Sequence, residues 1–222
     1  MKRRDITKKL LFVLLIPFLL TCAEFNLPEK EETSKNPDTS KLKNNLFQIV
    51  VPGDVDPGLF LYRNSFTRNQ VISFYTELTG SELVTLSIIK SADENNIPLS
   101  LAFALSWVES RFSPYAVNKN HYSIDRGLFQ LNSTSFPHLT EKDFFDPEIN
   151  SRYGLEYLKK CIEEGGNEIV GLAMYNAGKT RVKKGMTPYK TLHYISQIQE
   201  YRKKIEEDFA DTMKYATVLA RK

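Results

Sequence analysis

The sequence predicts a mostly α domain, and three observations carry the prediction. Apolar residues recur at three- and four-residue spacing in several stretches after Thr67. One of these, residues 99–112, is apolar almost all round. Gly, Asn and Pro punctuate the stretches where helices should end or begin. In order, Val71, Phe74, Tyr75 and Leu78 mark the buried face of a first helix that stops at Gly80. Leu83, Leu86, Ile88 and Ile89 predict a second, ending near Asn95 and Asn96. Pro98 opens a third, from Leu99 to about Phe112. Later helices are expected over 150–163, 168–176 and 192–209. Upstream, Phe47 to Val51 and Leu59 to Tyr62 flank Pro52 and Gly53; they read as two short strands around a turn, or as extended segments lying on the domain. No internal repeat is visible.

A chain of 222 residues allows one ordinary domain plus extra segments. Hydrophobic residues at 41% and aromatics at 12% are enough for a core. The net charge of +3, part of it at the N-terminus, gives no case for nucleic acid, and a weakly basic surface points only faintly to an acidic polymer. His121, His138 and His193 are scattered, without metal-ligand spacing, so neither a metal nor a cofactor is expected.

The N-terminus reads as an address. Lys2, Arg3, Arg4, Lys8 and Lys9 precede an apolar run from Leu10 to Leu20. The run is short of the roughly 20 residues that span a bilayer, and its length suits a secretory signal peptide; the alternative is a short membrane anchor. Leu19-Leu20-Thr21-Cys22 resembles the lipobox of bacterial lipoproteins, with Thr21 where Gly or Ala is more usual. The resemblance implies cleavage before Cys22 and lipid on its sulfur, with acyl burial contributing about 0.8 kcal/mol per CH₂. A lipidated Cys22 cannot pair with Cys161, which then reads as a buried free thiol on a helix. From Ala23 to about Asn45 the chain is polar and rich in Lys, Glu, Pro, Ser and Thr, the composition of a disordered tether.

Glu109 stands out within the apolar helix. Leu101, Leu105, Val108 and Phe112 form one stripe, with Glu109 on its flank one turn after Leu105. A carboxylate placed there loses hydration, which raises its pKa, and a Glu protonated near neutral pH can act as a general acid. The structural alternative is a Glu that pairs with Arg111 or simply ends the buried part of the helix.

Four segments in order resemble the soluble lytic transglycosylase catalytic domain, of lysozyme-like fold. They are Glu109-Ser110-Arg111-Phe112-Ser113-Pro114; Gly127-Leu128-Phe129-Gln130-Leu131-Asn132, with Phe129 where the family usually has Met; Asp146-Pro147-Glu148-Ile149-Asn150 followed by Gly154, Tyr157 and Leu158; and Ala173-Met174-Tyr175-Asn176-Ala177-Gly178. The resemblance runs from about Ser81 to Ile205. It implies a mostly α, lysozyme-like single catalytic domain with a glycan-binding groove, Glu109 as the acid, Tyr175 beside it and Asn176 lining the groove. Asn118 falls where many members carry a substrate-contacting Ser, and Tyr194 resembles a cleft-lining Tyr, with core packing as the alternative. Read as residues, Gly127 permits a tight turn or a close backbone approach to sugar. Gln130 and Asn132 would point one way in an extended stretch, with amides that both donate and accept. Gly178 reads as a left-handed helix cap. The segment between Asn118 and Gly127 is longer than usual and carries Asp125, two residues before the Gly. That arrangement also resembles animal-type lysozymes, where a second carboxylate stands there, and peptidoglycan-cutting enzymes of secretion systems; the alternative for Asp125 is a solvated ion pair with Arg126.

The implied organisation is a lipoprotein signal peptide (1–21), a tether (22–46), an extension packing on the domain (47–80), the catalytic domain (81–210) and a tail or helix end (211–222). The implied substrate is the glycan strand of peptidoglycan; the implied membrane attachment is the lipid on Cys22, facing the periplasm or cell wall; monomer is the default. In the transglycosylase outcome Glu109 protonates the leaving oxygen and then, as a base, activates the muramic acid's own 6-hydroxyl to close an anhydro ring. In the hydrolytic outcome Asp125 assists and water finishes the reaction. A non-catalytic peptidoglycan-binding lipoprotein is the reading from another class.

Overall fold

Asp56 and Pro57 start the first helix of the described residues. The Asp56 carboxylate accepts from the Leu59 N–H at 2.8 Å, and Pro57 sits in the first turn, where its missing N–H costs nothing. The computed structural model describes residues 50–214 and the backbone of 216–218. The expected signal peptide, the lipidation site at Cys22 and the tether lie outside the described residues. Leu59 to Tyr62 is helical, within α1 (Pro57–Arg63), because this cap overrides the local strand-like composition. β1 (Val50–Pro52) instead pairs in parallel with β5 (Ala216–Val218), joining the two ends of the described chain.

Helices α2 (Arg68–Thr79) and α3 (Glu82–Asn95) follow the predicted spans and end on left-handed residues, Gly80 and Asn96. Ser81 caps α3 by accepting from the Val84 N–H. The buried face of α3 keeps Ile88 and Ile89 as expected, but Leu83 and Leu86 are exposed and Val84 and Ala92 are buried in their place. At about 100° per residue, Leu83 lies on the side of the helix away from Val84, Ile88 and Ala92.

α4 (Leu99–Ser110) is the central helix. Every residue from Leu99 to Ser106 is buried, and each fully buried Leu contributes about 1.5–3 kcal/mol. The helix stops earlier than expected, because Arg111 and Phe112 both take positive φ, +55° and +62°. α4 packs chiefly on α9 (Tyr189–Met213). α6 (Pro147–Gly165) packs on α3 and on α7 (Glu168–Ala177). Tyr75 of α2 stacks on Phe103 of α4, centroids 4.0 Å apart, within the core. Cys161 is buried on α6 with a free thiol. Two short helices, α5 (Glu141–Phe145) and α8 (Lys179–Lys183), complete the helical set among the described residues. The domain is mostly α, as the sequence predicts.

Between α4 and α5 lies a small antiparallel sheet, β2 (Val117–Lys119), β3 (Ile124–Arg126) and β4 (Leu131–Asn132), paired in that order. Its register sets Asn118 opposite Asp125 and Asp125 opposite Asn132. Directly opposed residues project from the same face of a sheet, so these three side chains form one polar row. Among the described residues, no helix is long and apolar enough to cross a membrane.

Candidate active site

The turn Gly127–Gln130 is where the four sequence segments meet. Ser110, next to Glu109, donates its hydroxyl to the Leu128 carbonyl at 2.8 Å. Asn150 is fully buried; its amide oxygen accepts from the Phe129 N–H at 2.8 Å, and its amide nitrogen donates to the Arg126 and Phe144 carbonyls at 3.0 and 2.8 Å. Tyr175 donates its phenol to the Phe129 carbonyl at 2.9 Å. One piece of backbone is thus held from α4, α6 and α7 at once. Buried polar groups of this kind must be paired, and here they pair across elements.

Gly127 serves this arrangement. Its φ is +81°, and a Cβ there would lie 2.2 Å from the Asn150 amide nitrogen and from the Phe144 carbonyl oxygen. Gly154 of α6 is likewise required, since a Cβ would lie 2.5 Å from the Phe129 side chain. The large Phe129 is accommodated by the missing side chain facing it.

Glu109 is the penultimate residue of α4, half-buried, with its carboxyl at the wall of a groove of about 550 Å³. An acid in the last turn of a helix faces the negative end of the helix dipole, a placement that costs stability. Burial pushes the Glu109 carboxyl up from the ordinary 4.5 to about 7; the hydrogen bond from Tyr194 opposes that rise, and the charge of Asp125 adds to it. Tyr194, on α9, donates its phenol to Glu109 Oε1 at 2.5 Å. Burial and the neighbouring Glu109 hold the Tyr175 and Tyr194 phenols protonated, well above their ordinary range, so both remain donors. Arg111 does not pair with Glu109; its guanidinium lies over the Trp107 ring, 4.3 Å from the centroid.

The other expected residues fall as follows. Asp125 does not pair with Arg126, because adjacent strand residues point to opposite faces and Arg126 lies over Phe144. Its carboxylate instead accepts from the amides of Asn118 at 3.2 Å, Asn120 at 2.7 Å and Asn132 at 2.7 Å. Gln130 and Asn132 both line the groove, but not as alternate residues of one strand. Gln130 has φ +47°, and its amide nitrogen is spent on the Ala116 and Gly127 carbonyls at 3.2 and 3.0 Å. Only its oxygen is left for a ligand. Asn176 lines the groove while its amide oxygen accepts from the buried Thr191 hydroxyl at 2.9 Å. Tyr194 stands behind Glu109 rather than along the groove wall. Gly178 has φ +87° but ψ 138°, so it is a hinge shared by α7 and α8 and not a left-handed cap.

Sequence reasoning missed Asn120, Phe136, Tyr157 and Lys190, which also line the groove. Tyr157 had a readable signal, since it stands in the third resembling segment, but no role was read from it. Phe136, Tyr157 and Tyr175 form an aromatic series, with successive centroids 6.0 and 5.3 Å apart. Asn120 and Lys190 carried no signal beyond being polar. Among the described residues, no three His, Cys, Asp or Glu side chains gather where a metal could be held.

A carboxyl raised to about 7 thus faces a groove walled by amides on one side and rings on the other. Comparison with known proteins identifies the family. The transglycosylase SLT domain model matches residues 87–197, half of the chain, and the chain belongs to that family. It is 30% identical over 102 residues to Protein IpgF of Shigella sonnei, a match covering 43% of this chain and 67% of that one. It is also similar, at 21% identity and a TM-score of 0.47, to the solved structure of an inactive mutant of the lytic transglycosylase Slt from Pseudomonas aeruginosa. That match covers 56% of this chain and spans only 24% of the Slt chain.

Proposed function

We propose that the chain is a peptidoglycan lytic transglycosylase in which Glu109 is acid and then base. The observation that carries the reading is the Glu109 carboxyl, raised to about 7 and exposed to the groove, with Oε1 held by Tyr194. Family membership supports the substrate class. With Oε1 accepting from Tyr194, the proton sits on Oε2. Glu109 gives it to the glycosidic oxygen as the bond from that oxygen to muramic acid C1 breaks. The resulting carboxylate takes the proton from the muramic acid 6-hydroxyl as O6 bonds to C1. The acid is restored, no water is consumed, and the product ends in a 1,6-anhydro ring. The nucleophile is tethered to the reacting carbon, so no second molecule has to be ordered.

Asp125 supports a hydrolytic second reading, because it lines the same groove and its charge is felt by Glu109. Three amides already occupy its carboxylate, which suits a support for the strand row better than a nucleophile. We place the enzyme outside the cytoplasm, as a monomer held to a membrane by lipid on Cys22, where its polymeric substrate lies.

The test is mass spectrometry of fragments released from peptidoglycan by the purified protein. Products lighter by one water than reducing-end fragments support ring closure. Reducing ends throughout would make the enzyme a muramidase and bring Asp125 into the mechanism. No fragments from folded protein would leave only glycan binding.

A further inference from the structure

Between Glu168 and Glu200 the sequence has no Asp or Glu, yet it carries Lys179, Arg181, Lys183, Lys184 and Lys190. Four of these cations are concentrated on and around α8. Glu164 of α6 is the counter-ion for two of them: it binds Lys179 at 2.5 Å and Lys183 at 2.9 Å. Both contacts lie across the α6–α8 junction and fix the short helix in place. No carboxylate lies within 4 Å of Arg181 or Lys184 among the described residues. These two exposed side chains are three apart, hence neighbours on one face, where like charges repel. They line a second, open cavity of about 620 Å³ together with Met186, an exposed apolar side chain. This cavity shares Tyr157, Ala177 and Gly178 with the catalytic groove and so continues it.

A ledge with two unneutralised cations and one apolar side chain, continuous with a glycan groove, fits an anionic group that hangs from the glycan. Peptidoglycan strands carry short peptides with free carboxylates and small aliphatic side chains on the muramic acid. We propose that Arg181 and Lys184 bind the carboxylates of such a stem peptide and make the protein prefer peptide-bearing strands over naked glycan. The proposal rests on the reading that the groove binds peptidoglycan. Both contacts are exposed and charge-assisted, so their contribution is modest and salt-sensitive.

The test uses the full chain carrying Glu109→Gln, which binds without cutting, and three soluble probes. These are glycan fragments bearing tetrapeptides, the same fragments with carboxylates amidated, and the same fragments stripped of peptide. The first is expected to bind about fivefold tighter than the other two, the size two exposed ion pairs supply. Adding Arg181→Gln and Lys184→Gln should abolish that difference and leave the affinity for stripped glycan unchanged. Circular dichroism checks that the variant is folded. Equal affinity for all three probes, with peptidoglycan still cleaved by the unsubstituted protein, overturns the ledge and leaves the enzyme reading intact. Cleavage of no glycan, together with binding of none, overturns both. If Arg181 and Lys184 instead govern binding to anionic vesicles, with no effect on the peptide-bearing probe, the ledge faces a membrane and the proposal is wrong.

Discussion

On the helical side of the groove, each functional side chain is held by buried neighbours: Glu109 by Tyr194, Tyr175 by the Phe129 carbonyl, Asn176 by Thr191. On the sheet side, Asp125 and the asparagines bind one another in a half-solvated row. Both sides present a carboxyl to the same space, but burial raises the pKa of Glu109 to about 7, while Asp125 is held by the amides of Asn118, Asn120 and Asn132. In the proposed mechanism the two acids have different duties: Glu109, at the end of a core helix, transfers the proton, and Asp125 organises the polar wall opposite.

The strongest test of this contrast is Glu109→Gln. It should lower turnover on glycan strands by about a thousandfold or more, the scale of a lost general acid, with glycan affinity retained. It should also stabilise the fold at alkaline pH. Folded Glu109 holds its proton up to about 7, against an ordinary 4.5. The folded state therefore loses stability as pH rises between those values, by at most about 3 kcal/mol, and that loss persists above the upper one. Urea melts at pH 4 and pH 8 read the effect: the unsubstituted protein should weaken between them more than the Gln variant.

Asn150→Ala attacks the scaffold both sides share. Losing three hydrogen bonds, two of them buried, and with them these partners of the Phe129 N–H and of the Arg126 and Phe144 carbonyls, should cost about 3 kcal/mol or more, seen as a lower denaturation midpoint. Asp125→Asn should lower turnover only about tenfold, without changing the product, if the residue organises the wall; a nucleophile or electrostatic stabiliser would cost far more. The smallest effects are shifts in the alkaline limb of the pH–rate profile, and their signs oppose. Tyr194→Phe removes a hydrogen bond that favours the Glu109 carboxylate, so the limb moves up by about one pH unit. Asp125→Asn removes a negative charge that disfavours the carboxylate, so the limb moves down.

Much of the helical side was legible in the sequence. The all-round apolar segment 99–108 forces α4 into the core, and Glu109 on its flank is visible as a misplaced acid. Gly80 and Asn96 marked helix ends because their left-handed conformations are local properties. The sheet side was less legible. Asn118, Asp125 and Asn132 could be named singly, but their common row depends on register, and register is fixed by pairing across seven-residue intervals that no local pattern encodes. Gln130 misled because a positive φ at a non-glycine residue is held by tertiary contacts. The strand-like apolar run Leu59 to Tyr62 misled because a single capping residue, Asp56, made it helical. Tyr194 could be matched only loosely, since its distance from Glu109 along the chain hides a contact made where α9 crosses α4.

The central claim is that Glu109 keeps its proton near neutrality while facing the groove. A ¹³C NMR titration of the glutamate side-chain carboxyls, with Glu109→Gln identifying the signal, measures it directly. The account predicts a midpoint near 7 for Glu109. A midpoint near the ordinary 4.5 would contradict it and leave the groove without its acid.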